Sequence, residues 1–502
     1  MPRRPRETAA ALALGVLAAG ALAAWGCAKN PVTGQRQMML ITEEQEFSIG
    51  QGADEEIRKE FGSYLDSPAL RTYVDEIGNR LARQGERPGL VFHFEVLNDP
   101  QINAFALPGG FVYVTRGILE RLSSDDELSM VLGHEIGHVT ARHGAARLSK
   151  MYALQYGSLV GVLISPRTFA NYGDLIDLAL QVGMSAYSRD QESQADDLGV
   201  AYTYKAGFRP QEGVTVMRML QWLEGREPGK LERWFRTHPP PSQRIVDIET
   251  SLRALEQSDP EVAARRVSRD SYLRRIDGLL VGQYNGAEMV LRDGYYNREL
   301  AVRLAVPSGW EVNLDPNGSL VSMRKKEDEI ALLDADPMRT SIEAADVEKE
   351  FEKTLKRRGW RRTGGRQDHT AQQVLTHLAT YEGRTAKDEP IAVLNAYMAH
   401  GKHAWTFTAA AKHEIFKERL ADYEAWALGL RFLEEREAAA LTPPRLRIET
   451  AGKNATWRSL AEEHLGDPNA AEQLAFYNSL DPNAPLAPGL LVKIPPTLTV
   501  RP

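Results

Sequence analysis

The stretch SDDELSMVLGHEIGHV, residues 124–139, decides how the first half of this chain folds. Residues 124–127 read as a capping box, the pattern that begins a helix. At about 100° per residue, His134 and His138 lie roughly 40° apart on one helix face. Two neutral imidazoles on one face form half of a zinc site, and Glu135 between them can reach a water molecule at the metal. The apolar residues that set the helical period are Leu128, Val131, Leu132, Ile136 and Val139.

A catalytic zinc ion takes three protein ligands, so the histidine pair needs a third group. One enzyme class places a third histidine six residues after the second; that position is Gly144 here, and His143 is one residue out of register. This class is disfavoured, and His143 is expected to cap or pack near the helix end. A second source is a glutamate on a separate helix. Glu192 fits it, with Asp196 four residues later on the same face to accept the spare ring N–H of a ligating histidine.

Length and charge limit the classes of protein to consider. The chain has 502 residues, which predicts about three domains. Hydrophobic residues make up 43% and charged residues 26%, as in an ordinary globular protein. The formal net charge is −7, and we identify no basic run that would track phosphates. Nucleic acid is therefore not expected as a partner.

The N-terminus is typical of an export signal. Three arginines precede an Ala/Leu-rich run over residues 9–24, and the chain's single cysteine, Cys27, follows. This arrangement resembles a bacterial lipobox, which implies that residues 1–26 are a signal peptide and that a lipid on Cys27 holds the protein at a membrane. Ala28, rather than an aspartate, follows the cysteine. In this respect the chain resembles Gram-negative lipoproteins that are sorted to the outer membrane. The alternatives are a plain cleaved signal and an uncleaved anchor.

Periodicity along the chain predicts a multidomain α+β protein. Residues 28–260 are expected to be mainly helical with a small β-sheet, and the apolar run 151–164 to form a buried helical hairpin. Residues 261–295 would be a linker or extension, 296–437 an α+β accessory domain, and 444–496 a small terminal module. The expected accessory elements are strands at 300–306, 320–323, 330–333, 392–398 and 404–409 and helices at 345–358 and 415–430.

Three motifs together carry a family resemblance. They are H-E-I-G-H at 134–138, S-R-D-Q-E-S-Q-A-D at 188–196 and T-H-P-P-P-S-Q-R at 237–244. The set resembles the CAAX-prenyl-protease-like gluzincin metallopeptidases, and more narrowly their soluble bacterial periplasmic and lipoprotein members. The resemblance implies one zinc ion per chain. It also implies the ligands His134, His138 and Glu192, the general base Glu135, and Asp196 as support for a ligand.

The same resemblance implies roles for other residues near the metal. His238 would donate to the oxyanion or fill the open metal position and hold the enzyme latent; the alternative is a loop histidine fixed by its prolines. Arg244 would pair with a site carboxylate or be an ordinary surface arginine. Residues 103–107 resemble an edge strand to which an extended substrate can add. His400 and His403 are expected in a solvated turn rather than at a metal.

The terminal residues 445–494 resemble a lysin-motif module, a strand, two short helices and a strand. Such modules bind peptidoglycan glycan in other proteins; a structural or protein-contacting module is the alternative. The favoured function is a zinc-dependent endopeptidase of the bacterial cell envelope, acting on misfolded or misassembled envelope proteins. The alternatives are a chaperone-like envelope assembly factor with secondary or latent protease activity, and a cell-wall-anchored binding protein.

Overall fold

The computed structural model describes residues 27–155, 172–226, 231–291, 294–314, 320–325, 328–338, 343–385 and 388–496. The expected signal segment 1–26 and most of the apolar run 151–164 lie outside these residues. The structure is mixed α+β and divides into two compact units, one made of the residues up to 281 together with those from 445, the other of 282–444. Among the described residues, no helix has both the length and the apolar character needed to cross a membrane.

The first unit is mainly helical up to residue 281. The helices described there are α1 (Glu43–Phe61), α2 (Pro68–Ala82), α3 (Arg116–Arg121), α4 (Asp125–Thr140), α5 (His143–Gln155), α6 (Tyr172–Gly183), α7 (Arg189–Lys205), α8 (Glu212–Arg226), α9 (Glu232–Thr237), α10 (Pro241–Ser258) and α11 (Arg269–Ile276). Thr42 and Ser188 begin α1 and α7 with reciprocal capping boxes, as the sequence predicts.

The capping box predicted at residues 124–127 is only half right. Ser124 does cap α4, because its hydroxyl accepts the backbone N–H of Glu127 at 3.0 Å. The Glu127 carboxylate, however, accepts from the backbone N–H of Ser123 at 2.7 Å rather than from that of Ser124. Both donors lie at the same helix start, so the helix begins where the pattern predicts.

A small sheet lies beside these helices. Its strands are β3 (His93–Leu97), β4 (Ala104–Leu107) and β5 (Phe111–Thr115), and a short hairpin of β1 (Cys27–Lys29) and β2 (Arg36–Met38) precedes them. The order is β3-β5-β4, with β3 parallel and β4 antiparallel to β5. Strand β4 is therefore an edge, and all of its residues are buried. This is the strand that the sequence places over the metal.

The described residues of the second unit form two antiparallel sheets and three helices. One sheet has the order β17-β9-β8-β7-β6 and the other β10-β11-β12-β16-β15-β14-β13. Its elements are β6 (Tyr284–Asn285), β7 (Glu288–Leu291), β8 (Gly294–Asn297), β9 (Val302–Leu304), β10 (Glu311–Asn313), β11 (Val321–Lys325), β12 (Glu329–Pro337), α12 (Ala344–Arg357), β13 (Arg361–His369), β14 (Leu375–Arg384), β15 (Pro390–His400), β16 (His403–Lys412), α13 (His413–Leu428), β17 (Arg431–Phe432) and α14 (Glu435–Ala440).

The terminal residues return to the first unit. They form β18 (Arg447–Thr450), α15 (Trp457–Leu465), α16 (Ala471–Tyr477) and β19 (Leu491–Ile494), and β18 pairs antiparallel with β19. Lys493 is fully buried, and its ammonium donates to the carbonyl oxygens of Glu120, Arg121 and Leu122 at 3.0, 2.7 and 2.8 Å. These three hydrogen bonds satisfy carbonyl groups at the C-terminal end of α3, so this lysine fixes the last strand against that helix.

Candidate metal centre

Helices α4 and α7 approach each other closely through glycines. A Cβ added at Gly133 would lie 3.2 Å from the Cα of Gly199, and one added at Gly137 would lie 3.1 Å from the carbonyl oxygen of Ala195. Both contacts are with backbone, which cannot move aside as a side chain can. Because the helix axes can come this near, short carboxylates on α7 reach the imidazoles on α4.

Four buried side chains meet at this contact. One ligand atom from each of His134, His138, Glu192 and His238 lies within 4.8 Å of the others. The Nε2 atoms of His134 and His138 are 3.1 Å apart, and the Glu192 oxygens lie 3.6 and 3.5 Å from them. Three imidazoles and a carboxylate form a donor set that suits a divalent cation such as zinc.

Asp196 and Arg244 lie behind His134. The Asp196 carboxylate accepts from His134 Nδ1 at 2.9 Å, and it binds the Arg244 guanidinium with two hydrogen bonds, at 2.9 and 2.7 Å. Arg244 is buried, so its interpretation as a surface arginine is wrong. The arrangement leaves the His134 Nε2 lone pair facing the cluster, as metal binding requires.

Glu135 lies beside the cluster, next to His238. Glu135 is buried, and its Oε1 has no hydrogen-bond partner in the structure; His238 Nε2 lies 3.6 Å from it. His238 also places Nδ1 3.2 Å from Glu192 and Nε2 3.3 Å from the carbonyl oxygen of Ala104 on β4. A buried carboxylate oxygen without a partner is costly, and a metal with its water would satisfy it. The residues present therefore fit zinc.

The electrostatics of the cluster favour charged carboxylates on Glu192 and Asp196 and a neutral imidazole on His138. Burial opposes charge on Glu192, but His238, His138 and Arg244 together outweigh it and hold the pKa of Glu192 well below its usual range. Asp196 is also buried, yet Arg244 and then His134 lower its pKa to about 2. Burial lowers the pKa of His138, so this imidazole is neutral and able to bind a cation.

Of the remaining histidines singled out in the sequence, one lies beside the cluster and two lie in the second unit. His143, which was expected to cap or pack, lies with its Nδ1 2.9 Å from His138 Nδ1. Among the described residues, His400 and His403 belong to no group that could hold a metal. They pair across the β15–β16 hairpin, where His400 is exposed and stacks on Phe432. Sequence reasoning missed the contact of His143 because it depends on a break in the helix rather than on spacing.

Comparison with known families bears on this geometry directly. The profile of peptidase family M48 matches residues 68–252, a region that contains both metal helices and His238. A mitochondrial metalloendopeptidase OMA1 from Schizosaccharomyces pombe is 30% identical over 245 residues, which cover 48% of this chain and 69% of that protein. The chain belongs to peptidase family M48. It is a metallopeptidase, and zinc is the metal that this family uses.

Other M48 relatives share a smaller part of their length with this chain. Beta-barrel assembly-enhancing proteases from Yersinia pestis and Escherichia coli are 29% and 30% identical, covering 57% and 48% of this chain and 59% and 49% of those proteins. The chain thus spans only about half to three fifths of the length of these relatives. A solved structure, the cyanobacterial PsbP of Synechocystis, covers 30% of this chain and 98% of its own with a TM-score of 0.24 and 14% identity, too low for a structural argument.

Gly199 gives a test of the helix contact. A Cβ at this position would lie 3.1 Å from the backbone nitrogen of His134, so Gly199→Ala should push α4 and α7 apart and weaken zinc binding about tenfold or more. We expect this although alanine favours a helix by about 1 kcal/mol over glycine. Chelator competition measures the zinc affinity, and thermal unfolding measures stability.

Gly225→Ala on α8 is the matched control. A Cβ there meets no atom within 4 Å, so the same propensity gain comes without a contact. This variant should bind zinc as the parent does and unfold at the same or a higher temperature. If Gly199→Ala has the same zinc affinity and unfolding temperature as Gly225→Ala, the close approach of the helices is not what positions the ligands.

Proposed function

We propose that this M48 metallopeptidase is a zinc-dependent endopeptidase of the bacterial cell envelope that cleaves misfolded or misassembled envelope proteins. The observation that carries the peptidase chemistry is the buried ligand group beside the unpartnered Glu135 oxygen. The name of two relatives, beta-barrel assembly-enhancing protease, supports an envelope substrate. We further propose the gluzincin assignment, with His134, His138 and Glu192 as ligands and Asp196 as the support of His134.

The proton transfers fall to Glu135. A zinc ion held by His134, His138 and Glu192 would lower the pKa of a bound water to about 7 and polarise the peptide carbonyl. Glu135 is buried next to the ligand group and its Oε1 is free to accept, so it takes the proton as the water attacks. The same carboxyl then gives that proton to the leaving amine. Each residue is held by its helix before substrate arrives, so little reorganisation is needed.

Strand β4 supplies the binding surface for an extended peptide. It is an edge of the small sheet, and the carbonyl oxygen of Ala104 points to His238 at 3.3 Å. A substrate strand that pairs with β4 would compete with His238 for this carbonyl. Backbone pairing of this kind gives affinity with loose side-chain preference, which suits an enzyme that clears many unfolded chains.

Glu135→Gln should retain zinc and lose peptidase activity. The amide cannot accept a proton, so casein cleavage should fall about 100-fold or more, the range of general acid–base catalysis. Metal analysis of the purified protein checks zinc content alongside. Glu261→Gln, at an exposed position, is the control and should cleave casein at the parent rate. Parent-level cleavage by Glu135→Gln would remove Glu135 from this role.

His238 is the gate that we propose for this site. It already contacts Glu192 and the β4 carbonyl, so it occupies the position that water and substrate need. His238→Ala should therefore raise casein cleavage several-fold with zinc content unchanged, while His369→Ala, an exposed position in the second unit, should change nothing. A fall in turnover would assign His238 to the oxyanion instead. Unchanged turnover and zinc affinity would discard both roles.

The partners that we propose follow from the two ends of the chain. Export with a lipid on Cys27 would hold the enzyme at the outer membrane. The terminal module would contact peptidoglycan glycan or envelope proteins. The intact chain should then pellet with purified peptidoglycan sacculi and be released by excess soluble glycan fragments. A chain that stays in the supernatant removes glycan from its partners.

A further inference from the structure

The chain reverses sharply where α4 ends. Arg142 has a φ of +57°, in the left-handed region that non-glycine residues rarely adopt. A buried ion pair and a hydrogen bond hold it there: its guanidinium binds the Glu46 carboxylate at 2.9 Å and donates to the Ile41 carbonyl oxygen at 3.1 Å. In an unbroken helix His143 would lie about 140° around the axis from His138. The break turns His143 back toward the metal centre.

Behind His138, a chain of hydrogen bonds runs through His143 to Gln194. The Nδ1 atoms of His138 and His143 are 2.9 Å apart, and His143 Nε2 is 2.9 Å from Gln194 Oε1. His143 is 2% exposed. Gln194 lies on α7 between Glu192 and Asp196, so one helix supplies a ligand and supports both histidines of α4. With both ring nitrogens engaged, His143 is not itself a ligand.

We infer that His143 is a positioning residue that fixes the tautomer of His138. An amide oxygen only accepts, so His143 Nε2 donates its hydrogen to Gln194. His143 Nδ1 then carries a lone pair and accepts from His138 Nδ1, which leaves the lone pair of His138 Nε2 directed at the cluster. The inference rests on the proposed zinc function and deepens it: His134 is oriented by a carboxylate, His138 by a histidine and an amide.

The direction of this hydrogen-bond chain depends on Gln194. If its amide nitrogen faced His143, every donor would reverse and His138 Nε2 would carry a hydrogen, which excludes metal binding at that atom. In the observed orientation Gln194 Nε2 is buried without a hydrogen-bond partner. The structure therefore presents the amide oxygen to His143 and leaves the amide nitrogen without a partner.

Three variants separate tautomer control from packing. His143→Phe keeps a ring of similar size without an acceptor, Gln194→Met removes the amide, and His143→Asn places a carbonyl oxygen close to the position of Nδ1. Competition with a chelator gives the Zn²⁺ dissociation constant of each, the visible spectrum of the Co²⁺ form reports ligand geometry, and thermal unfolding of the zinc-free forms reports folding. His369→Phe, at an exposed position, is the control.

We expect zinc affinity to depend on whether a hydrogen-bond acceptor remains for His138 Nδ1, and not on the size of the substituted side chain. His143→Phe and Gln194→Met should weaken Zn²⁺ binding about 10- to 100-fold and alter the Co²⁺ spectrum, and His143→Asn should stay close to the parent. The zinc-free forms should unfold as the His369→Phe control does. If His143→Phe fails to fold, Gln194→Met decides, since it removes the unsatisfied Gln194 donor and leaves one other, His143 Nε2–H, so stability should change little.

Parent-like Zn²⁺ affinity and an unchanged Co²⁺ spectrum in Gln194→Met and in any folded His143→Phe would overturn the inference and leave the zinc peptidase standing. Equal losses in His143→Asn and His143→Phe would also overturn it, because the acceptor would then not matter. A parent protein that binds no Zn²⁺ would instead refute the proposed function itself, so the two failures are distinguishable.

Discussion

The metal centre depends on how closely two helices can approach. Gly133 and Gly137 on α4 face Gly199 and Ala195 on α7, with backbone within about van der Waals distance. Only at this separation can Glu192 span the gap to the two histidines. The glycines weaken each helix locally, since glycine is the poorest helix former after proline. These glycines therefore lower helix propensity at the positions where the two helices must come into contact for the ligands to meet.

This geometry concentrates buried charge. Glu192, Asp196, Glu135 and Arg244 are all shielded from water, and removing each ion from water costs on the order of several kcal/mol. Arg244 offsets Asp196 through two hydrogen bonds, but the guanidinium of one arginine cannot neutralise three carboxylates. A divalent cation held by the cluster would supply further positive charge. Metal binding should thus stabilise the fold as well as enable hydrolysis.

Local patterns in the sequence predicted what local physics determines. The spacing of His134 and His138, the caps of α1 and α7 and the paired carboxylates of α7 were all readable, because each depends on a few neighbouring residues. The position of His143 was not, since it depends on the left-handed Arg142 and so on Glu46, a residue 96 positions away. The return of residues 445–496 to the first unit depends likewise on packing that no short pattern encodes.

Segments near the start and near the end of the described residues contact α4 at its two ends. Asn30 donates to the carbonyl oxygen of Ala141 at 3.1 Å, where α4 stops. Ser479 lies 3.5 Å from the Glu127 carboxylate, where α4 starts, and Lys493 fixes the preceding α3. A buried lysine that satisfies three carbonyls is costly to remove, so the last strand is bound firmly. The M48 match at 68–252 omits both segments, and the position of the motif in this protein is set partly from outside its family core.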